Sequence, residues 1–120
     1  MLNLDTHILI KCLEGSLNQH ERSVLIGDGD WGISAIVLWE IEKLYELGRL
    51  RYGLDHPPLA QVIDRLEIWP LGREVCLKLR ALDFKSDPAD QIIAATSLAH
   101  GIPLVTRDRR IRASKKLRCL

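Results

Sequence analysis

Short apolar runs, each followed by a stretch with helical periodicity, constrain this chain more than any other feature. The runs are "MLNLD" at the start, "WGIS" at 31–34, "EIWPL" ended by its proline, and "IPLVT" at 102–106. Parallel strands need a long crossover between them, and a helix is the usual one. The alternation therefore predicts an α/β fold with a central, mainly parallel sheet and helices on both sides. At 120 residues the chain is long enough for one core and is read as a single domain over 1–120.

The intervening segments carry their own punctuation. "THILIKCLEG" reads as the turn and helix after the first strand, and a second helix is predicted over 17–26, stopped by "GDGD". "AIVLWEIEKLYELGRL" is the clearest helix, with Val37, Ile41, Leu44 and Leu47 on one stripe and Ser34 placed to cap it. "HPP" marks a turn before a helix at 59–66, and "REVCLKLRALD" is again helical. Asp87 at the N-cap and Pro88 at the first helical position open "ADQIIAATSLAH", which Gly101 closes. The tail is expected to add a short helix and an edge strand near "KLRCL".

Charge and cysteine usage narrow the class. A formal net charge of +1 gives no global field toward nucleic acid or membrane. Local charge is uneven: "RDRRIRASKKLR" at 107–118 is dense in Lys and Arg, with Asp108 its single acid. Such a run is a solvated face or a surface for a phosphate backbone. Cys12, Cys76 and Cys119 are odd in number and lack a CxxC pair, as expected of buried thiols in a reducing compartment. No apolar run approaches membrane-spanning length and the N-terminus has no basic leader pattern, so the cytoplasm is the expected location.

Certain carboxylates fall where the predicted elements should be apolar or facing a ligand. Asp5 directly follows the first strand and Asp108 comes just after "PLVT", both at the carboxyl edge where α/β sheets bind ligands. Glu40 lies three residues after Val37 and four before Leu44, within or beside the inward stripe. An acid there needs a partner, a proton or a cation, and Lys43 is the nearest candidate partner in sequence. Asp90 precedes Ile93 by three residues and Ala94 by four. A position in the first helical turn favours its charge and also suits a capping box.

Two acids at strand ends and two on inward helix faces can converge on one edge of the sheet. Oxygen ligands without a Cys/His cluster select Mg²⁺ or Mn²⁺ over zinc. A hydrated ion of that kind suits phosphodiester hydrolysis.

With these segments in view, the chain resembles the PIN-domain ribonucleases, particularly toxins of the VapC type from toxin–antitoxin pairs. The likeness runs through "NLDTHILI" at 3–10, "ISAIVLWEIEKL" at 33–44 and "DPADQIIAATSLAHGIPLVTRDRRI" at 87–111. It implies a PIN-like three-layer α/β/α fold and a Mg²⁺- or Mn²⁺-dependent endoribonuclease. Carried over by motif, Asp5, Glu40, Asp90 and Asp108 match the family's acidic quartet as catalytic and metal-site residues. Thr6, Ser34 and Thr106 match polar residues that support that pocket. The resemblance also implies RNA as substrate, a small antitoxin as partner, a homodimer and no membrane association.

There are departures from the family pattern. Arg107 stands beside the last acid, where it would contact RNA phosphate or point outward, and Gln91 replaces a common arginine. Two rival readings remain open. One is a phosphatase-like enzyme with Asp5 as nucleophile, although position 7 is His rather than a second Asp. The other is a non-catalytic PIN-like interaction module. His7, His20, His56 and His100 share no metal-ligand spacing, and Trp31, Trp39 and Trp69 fit packing better than base stacking.

Overall fold

The computed structural model describes residues 1–120. Four parallel strands, β1 (Leu2–Leu4), β2 (Trp31–Ser34), β3 (Glu67–Trp69) and β4 (Leu104–Val105), form one sheet in the order β3-β2-β1-β4. Helices cover both faces, giving three α/β/α layers as expected. The helices are α1 (Thr6–Glu14), α2 (Gln19–Asp28), α3 (Ala35–Glu46), α4 (Pro57–Ile63), α5 (Arg73–Lys78), α6 (Pro88–His100) and α7 (Arg109–Arg112). Because all four strands run the same way, their carboxyl ends share one edge. Asp5, Ser34 and Thr106 directly follow or end β1, β2 and β4 there.

The core is built where the periodicity placed it. Leu2 and Leu4 from β1, Ile33 from β2 and Leu104 from β4 are sealed between Ile8, Val37, Ile41 and Ile93 of the helices. Asn3 is the polar exception inside β1. Its amide donates to the Ile93 carbonyl at 3.0 Å and to Ser97 Oγ at 2.9 Å. These bonds tie the central strand to α6 and help fix how far α6 is advanced over the sheet.

Boundaries shift where local chemistry overrides the apolar pattern. The helix expected over 17–26 starts after Asn18 and runs on to Asp28, because Asn18 and Glu21 close a reciprocal capping box. Pro57 and Pro58 lie inside the first turn of α4 rather than before it, where a missing N–H does no harm. The segment after Lys78 tightens into a 3₁₀ turn at 79–81. Pro103 cannot donate to a ladder, so β4 is paired over only two residues, and the expected C-terminal edge strand is a single bridge from Leu104 to Cys119. The cysteine expectation is corrected in part. All three are free, but Cys76 is exposed and Cys12 and Cys119 are only half-buried.

Candidate active site

The β1–α1 junction builds the centre of the site. Asp5 is the N-cap of α1 and is 5% exposed. One carboxylate oxygen accepts from the Thr6 amide at 2.7 Å, and the other accepts from Thr106 Oγ1 at 2.5 Å. The Thr106 hydroxyl also accepts from the Asp108 amide at 3.0 Å, linking the end of β4 to the end of β1. Asp108 in turn caps α7 by accepting from the Ile111 amide at 3.0 Å. Thr106 therefore bonds both Asp5 and the Asp108 amide.

The other two acids arrive from the helices. Glu40, half-buried on α3, accepts a hydrogen bond from the Thr6 hydroxyl. Lys43 does not reach it and pairs with Glu46 at 2.9 Å instead. Ser34 is fully buried and caps α3 through the Ile36 amide at 3.3 Å, so it acts on the entry of the helix that carries Glu40. Asp90, half-buried in the first turn of α6, accepts from Ser86 Oγ at 2.9 Å. It closes no capping box, and Asp87 occupies the N-cap without a side-chain cap bond. Neither carboxylate makes a cap bond, so what helix initiation offers them is the field of the helix N-terminus alone.

Electrostatics link the four acids to one another. Burial pushes Asp5 above the ordinary carboxylate range, against the opposing Thr106 bond, and the charge of Asp90 pushes it the same way. Glu40 is raised by burial and by the charges of Asp5 and Asp90. Asp90 is raised by burial and by Asp108 and Asp87. The mutual repulsion therefore runs from Asp108 through Asp90 to Asp5 and Glu40. No Lys or Arg forms an ion pair with any of the four. His7, exposed in the first turn of α1, works weakly against these shifts at Asp5, Glu40 and Asp90.

Asp87, Asp90 and Asp108 line an open cleft of ≈ 440 Å³ together with Ser86, Arg109 and Arg110. As the side chains lie, no three His, Cys, Asp or Glu groups close around a common point. The donor set nevertheless fits a hard divalent cation: carboxylates and hydroxyls, no thiol, and crowded negative charge that no Lys or Arg pairs. A separate groove of ≈ 420 Å³, lined by Leu13, Trp31, Pro58, Val62 and Leu66 among others, contains none of the four acids.

Arg107 does not line the acidic cleft. Its guanidinium makes two bonds of 2.6 Å to the carboxylate of Glu21 and a third to the Ser16 carbonyl at 3.3 Å. Glu21 is 6% exposed, and these bonds hold it down at a pKa of about 2. Of the two places the sequence allowed Arg107, beside the RNA path or turned outward, its side chain lies against Glu21 and outside the residues lining the acidic cleft. Ser86 and Glu21 carry no motif that singles them out in the sequence. Only Ser86 left a local trace there, a hydroxyl four residues ahead of an inward acid.

A family profile described as "PIN domain" matches residues 3–117. Ribonuclease VapC22 of Mycobacterium tuberculosis is 32% identical over 87 residues, covering 69% of this chain and 66% of that protein, just under two thirds of its length. The fold is similar to that in the structure of VapBC2 from Rickettsia felis bound to a promoter DNA fragment, with a TM-score of 0.76 and 20% identity over 100% of this chain and 98% of that one. It is also similar to that in FitAcB from Neisseria gonorrhoeae, with a TM-score of 0.71 and 23% identity over 100% and 96%.

Proposed function

Because this chain belongs to the PIN-domain family, with the match spanning nearly its whole length, we propose that it is a metal-dependent endoribonuclease and the toxin of a toxin–antitoxin pair. The observation that carries this reading is the line of repelling acids, Asp108, Asp90, Asp5 and Glu40, at the carboxyl edge of the sheet with no cation paired to them. Those four would hold Mg²⁺ or Mn²⁺. The ion supplies a more acidic bound water and a positive charge for the phosphate oxygens. Thr106 and Thr6 hold Asp5 and Glu40 in place, and Ser86 holds Asp90.

Asp5 is poorly suited to the rival role of covalent nucleophile. Both its oxygens already accept strong bonds, from Thr6 and Thr106. VapC22 is named a ribonuclease, and the VapBC2 structure bears the name of a two-component assembly. The first name supports RNA as substrate and the second an antitoxin partner; as further parts of this proposal, that partner caps the acids with a basic side chain and the chain forms a homodimer. We read the chain as one PIN unit over 1–120. No helix is long and apolar enough to cross a membrane, and the toxin role puts the protein in the cytoplasm. The decisive test is incubation of the purified protein with a mixed RNA pool in Mg²⁺ or Mn²⁺ and the cut ends mapped. Cleavage that stops on chelation and is lost in Asp90→Asn supports the reading. Cleavage that survives chelation, or a phosphoenzyme trapped at Asp5, overturns it.

A further inference from the structure

The last acid is flanked by arginines at 107, 109, 110 and 112, and the structure separates them by what their guanidinium groups already hold. Arg107 is clasped by Glu21 and Ser16. Arg110 donates to the Lys85 carbonyl, and Arg112 donates to the carbonyls of Thr106 at 3.0 Å and Leu120 at 3.1 Å. Arg109 alone among the four makes no hydrogen bond or ion pair, although it lines the cleft with Asp87, Asp90 and Asp108. Its guanidinium is exposed beside those carboxylates and free to bind a group from outside the protein.

The cleft needs such a group. Three carboxylates on its walls repel a polyanion, and a cation held among them would offset only part of that charge at long range. Arg109 sits at the first position of α7, next to Asp108, where it lines the cleft with Asp90 and Asp108. Its wall is held firmly. The Arg110 bond to Lys85, together with Asp83 accepting from the Ser114 hydroxyl and from the Lys115 amide at 2.9 Å, staples the C-terminal segment to the loop that carries Ser86. Arg forks match phosphate oxygens in a bidentate manner that Lys does not reproduce.

We infer that Arg109, and not Arg107, is the residue that grips the RNA phosphate entering the acidic cleft. This rests on the nuclease reading above. The contact adds one neutralised phosphate to binding, and its signature is salt dependence as well as activity. For single strands each phosphate neutralised contributes a slope of about −0.7 in log K against log salt.

The test is equilibrium binding of a fluorescent single-stranded polyuridylate across a salt series in EDTA, where no cleavage interferes. NMR observation of the arginine Nε–H signals during the same titration assigns the contact. Arg109→Gln is expected to weaken binding several-fold at low salt and to flatten the slope by about 0.7, with Arg109→Lys recovering the slope but not the affinity. Arg107→Gln is expected to lower the melting temperature and leave the slope unchanged. In the unsubstituted protein the Arg109 Nε–H should shift on adding RNA while that of Arg107 stays fixed. An unchanged slope in Arg109→Gln, or a shift at Arg107 alone, overturns the inference while leaving metal-dependent cleavage standing. If the unsubstituted protein neither binds nor cleaves single-stranded RNA, with or without Mg²⁺, the nuclease reading falls and this inference with it.

Discussion

Asp5 has structural duties that complicate its obvious mutant. Removing the carboxylate in Asp5→Ala leaves the Thr6 amide and the Thr106 hydroxyl without their acceptor at a site that is 5% exposed. Stranding buried donors costs about 1–3 kcal/mol, so thermal unfolding should show a lower midpoint as well as lost cleavage. Asp5→Asn keeps an oxygen for Thr6, and the Thr106 hydroxyl can turn to accept from the new amide. It should lose cleavage at nearly native stability. Asp90→Asn is the cleaner variant still. It keeps an acceptor for Ser86 and removes repulsion with Asp108 and Asp87, so stability should hold or rise by up to about 1 kcal/mol while cleavage disappears. A clear loss of stability in Asp90→Asn would show that its carboxylate holds the fold together. Asp5, Glu40, Asp90 and Asp108 were legible in the sequence because each breaks the polarity of its surroundings or ends an apolar strand. Glu21 and Arg107 were not, since each looks like a solvated charge and their partnership spans 86 positions.

Elements in this fold are joined by a few contacts that sequence patterns do not display. The Glu21 carboxylate completes the cap of α2 and also clasps Arg107 in the loop that carries Thr106 and Asp108. Glu21→Ala removes both and leaves the Arg107 fork half-exposed without its acid. A destabilisation of about 2–3 kcal/mol is expected, below the range for a fully buried pair because Arg107 reaches solvent. Chemical denaturation measures it, and a change under 1 kcal/mol would mean that the clasp contributes little. Gly32 makes a similar case in β2. A Cβ there would collide with the Trp69 ring and stand 2.9 Å from the Glu67 carbonyl, both on the neighbouring strand. Gly32→Ala should therefore cost roughly 2 kcal/mol or more by forcing β3 away, read as a lower melting temperature. The strands and helices themselves were readable from periodicity and from residues such as Gly101 and Ser34 that cap them. Their ends were less so, because Asn18, Pro57 and Pro103 decide boundaries through hydrogen bonds made or missing. The strand order depends on contacts between distant segments and leaves no local mark.

Across the whole molecule, two opposed groups of acids set the response to pH. Asp5, Glu40 and Asp90 are raised by burial and by neighbouring carboxylates. The folded protein therefore takes up protons at a higher pH than the unfolded chain does, and stability rises as pH falls from neutral toward the unfolded range near 4. Glu21 acts in the other direction. Held at about 2 by Arg107, it contributes stability above the unfolded range and loses it as pH falls through about 4.5 toward 2. Stability without divalent metal should therefore peak on the acidic side of neutral, at about pH 5. A cation that binds the acid cluster keeps it ionised, so saturating Mg²⁺ should raise the melting temperature at neutral pH and flatten the climb between pH 8 and pH 5. At a hundred times its dissociation constant the added stability is about 2.7 kcal/mol. Asp90→Asn should show a smaller Mg²⁺ shift, and Glu21→Gln should keep the full shift while losing the steep fall below about pH 4.5. A melting temperature that drops steadily from pH 8 downward and ignores Mg²⁺ would mean that the four acids do not act as one charged site, and the metal-dependent reading would go with it.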